Sequence, residues 1–247
     1  MRYFLKISYK GTNYSGWQIQ DNANTVQAEI HAGLSTLLKT PTECMGAGRT
    51  DAGVHALGMI AHFDSEVEID LVDFNYKLNA ILPRDIAVIE IKPVVPKAHA
   101  RFDAVARSYE YRIHNQKDPF NRNSSYFFNQ PLDMNEINEG IEILKRTSDF
   151  ESFSKVHTEV NNFNCEIFEA HWERSSSGHV FFIRANRFLR GMVRTIVGSL
   201  LDLGTKKYSP AELETILNHK DRTQAGRSVP ADGLYFVSAE YPKEIYL

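Results

Sequence analysis

Apolar and polar residues alternate at the start of the chain. Tyr3, Leu5, Ile7 and Tyr9 stand against Phe4, Lys6, Ser8 and Lys10, which predicts a strand with one apolar face. The period then lengthens. Val26, Ile30, Leu34, Leu37 and Leu38 fall on one helical face. Asn24 stands as the cap of that helix, with Gln27 in the capping-box position. Residues 42–45 and 57–63 read as strands, residues 74–82 as a helix ending before Pro83, and residues 86–91 as another strand. Pro93 and Pro96 interrupt the pattern.

The grammar then repeats. Residues 107–114 alternate, with Tyr109, Tyr111 and Ile113 on one face. Asp133 caps a helix whose stripe is Ile137, Ile141 and Leu144, with Glu136 at the capping-box position. Residues 167–172 and 179–185 read as strands joined by the polar turn Ser175-Ser176-Ser177-Gly178. A helix is expected over 188–203. Another starts at Ser209-Pro210-Ala211-Glu212, with proline at its first position. Residues 234–239 close as a strand. Strands interrupted by helices favour an α+β fold of two halves, 1–103 and 104–247.

Between the second and third predicted strands lies Gly46-Ala47-Gly48-Arg49-Thr50-Asp51-Ala52-Gly53-Val54-His55. Each glycine inside a helix costs about 1 kcal/mol, so this stretch is a tight loop feeding a buried strand. Glycines let a backbone pass close to a ligand. Asp51 can close the turn through its own side chain. If Arg49 holds it ionised, it can instead be a nucleophile, a general base or an electrostatic partner. The loop is no P-loop, for it lacks the Gly-Lys-Ser/Thr ending. Nor is it a dinucleotide fingerprint, for Asp51 stands where the third glycine belongs and would repel pyrophosphate.

Composition adds boundaries. The 247 residues include only two cysteines, Cys44 and Cys165, which form no disulfide framework or zinc pattern and suit reduced thiols in the cytoplasm. The nine histidines show no ligand spacing, so no metal is expected. The N-terminal apolar run is too short for a signal peptide, and no stretch approaches the roughly 20 residues of a membrane span. A net charge of −3 argues mildly against nucleic acid. Local charge argues the other way. Arg184, Arg187, Arg190 and Arg194 fall in a run without an acid, with Arg190 and Arg194 at the spacing that shares a helix face. Such a cluster suits phosphates, and Arg101 and Arg107 add to it around the central break. Tyr111 reads as core. Tyr109 presents its ring either to the core or to a flat base, a stack worth about 1–3 kcal/mol.

Gly48-Arg49-Thr50-Asp51-Ala52-Gly53-Val54-His55 resembles the signature of the tRNA pseudouridine synthase A (TruA) family. Tyr9-Lys10-Gly11-Thr12, Gly16-Trp17-Gln18 and Val26-Gln27 resemble its N-terminal block. His99-Ala100-Arg101-Phe102, Arg107-Ser108-Tyr109-Glu110-Tyr111, Phe188-Leu189-Arg190-Gly191-Met192-Val193-Arg194 and Gly233-Leu234-Tyr235 follow in the family's order. The resemblance implies a pseudouridine-synthase-type fold: two α/β halves with antiparallel sheets joined into one and an active cleft between. It implies isomerisation of uridine to pseudouridine in the anticodon stem-loop of tRNA, at positions 38, 39 and 40. It also implies no cofactor, no metal, and a homodimer. Asp51 matches the catalytic aspartate, Arg49 the arginine that pairs with it, and Tyr109 the tyrosine placed over the uracil. Leu189 is a candidate to line the uracil pocket, and Arg101, Arg107, Arg187, Arg190 and Arg194 are candidates to bind RNA. Ser154-Lys155 and Asn164-Cys165 stand where relatives commonly carry arginine. A non-catalytic tRNA-binding module is the alternative.

Overall fold

The computed structural model describes residues 1–155 and 162–247. In chain order its elements are β1 (Arg2–Tyr9), α1 (Val26–Leu38), β2 (Cys44–Gly46), β3 (His55–Asp64), α2 (Leu71–Ile81), β4 (Ile86–Val94), β5 (Ala106–His114), β6 (Tyr126–Phe127), α3 (Met134–Arg146), β7 (Ile167–Arg174), β8 (Gly178–Ala185), α4 (Met192–Gly204), α5 (Pro210–His219) and β9 (Leu234–Glu240). They divide into two compact units, one of residues 1–106 with 235–247 and one of residues 107–234. The last strand, which sequence order puts with the second half, thus packs with the first.

In the first unit the strand order is β4-β1-β3-β9, with β2 also paired to β3. β1 is antiparallel to both β3 and β4, whereas β9 runs parallel to β3, with His55 opposite Tyr235. Tyr3, Leu5, Ile7 and Tyr9 of β1 are buried as the alternation predicts, joined by Met59, Ala61 and Phe63 of β3, but Phe4 on the other face is buried too, against Val94, Ala98, Ala100 and Ile245. Ile30 and Leu34 of α1 and Phe74 and Leu78 of α2 complete this core. Tyr3 stacks on Phe63 at 5.4 Å, and Phe63 on Phe74 at 6.1 Å. Gly33 brings α1 close to α2, since a Cβ there would lie 2.8 Å from a Leu78 methyl.

Several local expectations shift. Thr25, not Asn24, is the N-cap of α1, without a side-chain cap bond. Gln27 instead ties loops together, its amide donating to Cys44 O at 2.7 Å and its Oε1 accepting from Ile19 N at 3.1 Å. α2 starts three residues earlier than expected because Asp70 caps it, accepting from Val72 N and Asp73 N. Pro93 lies inside β4 opposite Tyr3. An outer strand tolerates a residue without an N–H.

The opposite face of β1 and β3 holds a charged and a neutral cluster. Arg2 pairs with Asp64 at 2.7 Å. His62 is buried, its Nδ1 accepting from Ala100 N at 3.1 Å. Burial, with help from nearby Arg2 and His99, lowers its pKa to about 4. The folded chain therefore keeps His62 neutral where an unfolded chain would protonate it, so stability present above pH about 6.5 falls as pH drops toward about 4. Thermal melts across that range should fall more steeply for the wild type than for His62→Gln. Equal slopes would show that His62 is not the group responsible.

In the second unit the order is β5-β8-β7, antiparallel throughout, with β6 parallel to β5. Tyr111, Ile113, Phe181 and Ile183 are buried on one face, and α3 packs against β7, α4 and α5. α4 is apolar on almost every side, as a helix enclosed by others must be. Gly198 lets the 227 backbone cross it, for a Cβ would meet Arg227 O at 1.8 Å. The Ser209–Glu212 capping box with Pro210 at N1 starts α5 as expected. The expected helix over 188–203 begins only at Met192. Gly191, at φ 76°, is left-handed and stops the helix from extending backwards. Among the described residues no helix is long and apolar enough to cross a membrane.

Candidate active site

The loop 47–54 joins β2 to β3; it leaves β2 at Gly46, opposite Ala61, and enters β3 at His55, opposite Tyr235. A second segment, residues 9–17, acts as its template. Trp17 N donates to Thr50 O at 3.2 Å, and Gly53 N donates to Tyr14 O at 3.3 Å. The Tyr9 hydroxyl and Thr50 Oγ1 share a buried hydrogen bond of 2.9 Å. Gly11 N donates to His55 Nδ1 at 3.0 Å, which leaves the proton of a neutral His55 on Nε2. Val54 N closes the turn on Asp51 O at 3.2 Å.

The two segments touch closely enough that glycine is required. A Cβ on Gly11 would sit 2.0 Å from Val54 O. On Gly16, at φ 100°, it would sit 2.4 Å from Thr50 O. On Gly46 it would strike the Trp17 ring at 2.6 Å. Trp17 is buried, packing 6.0 Å from Tyr9, so it is part of the template and not a surface for stacking. Gly48 differs, for a Cβ there would meet nothing within 4 Å. The template is in turn tied down by the Tyr14 hydroxyl, which donates to Asp85 Oδ1 at 2.6 Å. Burial, then the Asp85 carboxylate, pushes the Tyr14 pKa well up, so that proton stays.

On this mould Thr50 and Val54 are buried, Asp51 is half-buried, and Arg49 is exposed. The backbone and the threonine hold the loop, on which Asp51 is only partly covered and Gly48 has open space around it. Such a carboxylate can act as base, nucleophile or charge partner. Sequence spacing pointed to Asp51 and Arg49. It did not point to Thr50, Tyr14 or Asp85, whose parts depend on contacts between distant segments.

In the second unit Tyr109 is half-buried on β5, its ring edge-on to Phe188 at 5.0 Å and 83°. Leu189 beside Phe188 is buried. Phe188, like Tyr109, is half-buried, so both rings are partly accessible.

The arginines are more dispersed than their spacing suggested. Arg190 precedes α4, so it and Arg194 do not share a helix face. Arg190 is exposed, and its carbonyl accepts from Lys155 N at 3.0 Å. Arg194 is half-buried and donates through Nε to Val229 O at 2.6 Å. Arg107 donates to Asn186 O at 3.0 Å. Arg184 lies over the Phe168 ring at 5.0 Å. Arg187 is half-buried near Cys165, whose thiol burial pushes up to about 11 against the pull of that guanidinium. Arg101, in the first unit, is exposed and lies 5.7 Å from the centre of the Phe102 ring. Ser154 and Cys165 are buried. Among the described residues no group of three or more His, Cys, Asp and Glu is placed to hold a metal ion.

Comparison with known proteins gives the geometry a context. Residues 6–103 and 144–242 match the family model of tRNA pseudouridine synthases. The chain is 50% identical over 246 residues to tRNA pseudouridine synthase A of Parabacteroides distasonis, covering 99% of this chain and 98% of that protein. It is 48% identical to the protein of that name in Bacteroides fragilis, over 99% of this chain and 98% of the relative. For the Bacillus subtilis protein of that name the identity is 39%, over 98% of this chain and 99% of the relative.

Proposed function

Since the chain belongs to the tRNA pseudouridine synthase family, we propose that it isomerises uridine to pseudouridine in the anticodon stem-loop of tRNA, at positions 38, 39 and 40, with Asp51 as the catalytic carboxylate. The reaction breaks the bond from C1′ to N1, turns the uracil, joins C1′ to C5 and releases the C5 proton while N1 regains one. Atoms and electrons balance without a cofactor. The carboxylate can open this sequence by attacking C1′, by attacking the base, or by taking a proton from the sugar.

The observation that carries the role of Asp51 is its setting. It is half-buried on a loop held by buried neighbours, and the same loop carries Gly48 with open space around it. Arg49, one residue beyond Thr50, is exposed and free to follow the substrate into the site. Unstacking the target uridine costs a few kcal/mol. Phosphate contacts by Arg101, Arg107, Arg187, Arg190 and Arg194 offset that cost, and Tyr109 with Leu189 receives the uracil. The enzyme acts in the cytoplasm as a homodimer whose two subunits share one tRNA.

Site mapping on tRNA transcripts tests the assignment. Pseudouridine should form at uridines 38 to 40 and disappear when those uridines are replaced by cytidine. Modification confined to another arm of the tRNA would sink the anticodon reading. Light scattering should give twice the chain mass, and a monomer would contradict the dimer.

The Tyr9–Thr50 hydrogen bond gives a finer test. Thr50→Val removes the hydroxyl and keeps the shape, and is expected to lower kcat about tenfold with KM little changed. That is the scale of one net hydrogen bond of about 1.4 kcal/mol lost from the positioning of Asp51. Thr50→Ser should recover most of the rate. Equal rates for Thr50→Val and wild type would remove the bond from the account.

A further inference from the structure

Three rings of the first unit touch in series, at interplanar angles of 60° and 33°, and the series ends in solvent. The His62 and His99 ring centres are 4.7 Å apart, and those of His99 and Phe102 are 4.2 Å apart. His62, at one end, is buried, whereas Phe102, at the other, is 72% exposed. The Arg101 guanidinium lies 5.7 Å from the Phe102 ring centre.

The turn that ends this series is fixed by hydrogen bonds. His99 N donates to Asp103 Oδ2 at 2.7 Å, and Asp103 N donates to His99 O at 3.0 Å. Arg101 N and Phe102 N both donate to His99 Nδ1, at 3.1 and 3.2 Å. That nitrogen is an acceptor only in neutral imidazole, and burial lowers the His99 pKa from its ordinary value. The Tyr241 hydroxyl holds the next turn of chain, donating to Ala100 O at 2.6 Å.

A lone exposed apolar side chain needs no explanation. This ring differs from one in three respects. It ends a run of tilted ring contacts, its backbone is locked, and a guanidinium lies over it. Aromatic faces backed in this way take nucleobases, at about 1–3 kcal/mol per stacked base, and arginine adds attraction for phosphate and base alike. Because the turn is already ordered, little conformational entropy remains to be lost on binding.

We propose that Phe102 and Arg101 form a stacking platform for one unpaired base of the tRNA. The base packs on the Phe102 ring, which His99 backs, and Arg101 takes an adjacent phosphate. This rests on the tRNA reading above but concerns binding, not the chemistry at Asp51.

Binding of uridine-containing tRNA to wild type, Phe102→Ala, Phe102→Trp and Arg101→Gln across a salt series tests it, with isomerisation and light scattering on the same samples. Phe102→Ala should bind tRNA about fivefold to a hundredfold more weakly with an unchanged salt slope. Arg101→Gln should reduce that slope by about one. Phe102→Trp should keep its affinity, and tRNA should quench its added fluorescence. Unchanged affinity in Phe102→Ala, beside a wild type that binds and isomerises tRNA, overturns the platform alone. So does a Phe102→Ala protein that has become monomeric and loses affinity only for that reason, since the ring then serves a protein contact. A wild type that neither binds nor isomerises tRNA is a separate result and overturns the functional reading itself.

Discussion

Replacing Asp51 by asparagine is expected to slow pseudouridine formation at least about a thousandfold while tRNA affinity stays within about threefold. Asparagine keeps the shape of the side chain but loses its charge, its basicity and most of its nucleophilicity. Acid–base assistance alone is worth about 10²–10⁴-fold, and a covalent role would add to that. The loop should survive the change. Thr50 O, Thr50 Oγ1, Gly53 N and the Gly11–His55 bond hold it to the 9–17 segment. Single-turnover assays with enzyme above its tRNA dissociation constant separate the two quantities. Retained activity in Asp51→Asn would move the chemistry elsewhere.

Gly16→Ala is expected to be the most damaging small change to this site. At φ 100° a side chain is strained whatever the space, and here the new Cβ would lie 2.4 Å from Thr50 O and 3.2 Å from Asp51 C. Overpacking of this kind costs about 1–3 kcal/mol and backbone strain a similar amount. A combined loss of about 3 kcal/mol in denaturant unfolding should therefore accompany a collapse in kcat. Gly48→Ala is the matched control. Nothing lies within 4 Å of its added methyl, so stability should hold within about 0.5 kcal/mol. Activity should nevertheless fall tenfold or more, because the methyl enters the space left for substrate. If Gly48→Ala isomerises tRNA as fast as wild type, that space is not used.

The elements were legible wherever local physics decides them. The alternation from Tyr3 to Tyr9 became β1, and the helix start at Ser209-Pro210-Ala211-Glu212 became the N-terminus of α5. Where the structure departs, a longer-range or backbone effect decides. The spacing of Arg190 and Arg194 suits a helix face, but the left-handed Gly191 between them ends the helix at Met192. β9 pairs in parallel with β3 across some 180 residues of sequence, a partnership that no local pattern announces. At the site, Asp51 and Arg49 stand out by residue type and spacing. The 9–17 template does not, since Gly11 and Gly16 read as ordinary loop glycines until Val54 O and Thr50 O are found against them. The role proposed for Asp51 rests on the run of family motifs, because an aspartate among glycines is equally a turn former.

The most direct measurement of the central claim is tritium release from tRNA labelled at uracil C5, under single turnover, with wild type and Asp51→Ala side by side. The C5 hydrogen leaves only when C5 becomes the glycosidic carbon. The wild type should release label from the anticodon-arm uridines to completion, and Asp51→Ala, folded and bound to tRNA, should release none above background. Release by Asp51→Ala at the wild-type rate would contradict the assignment of this carboxylate.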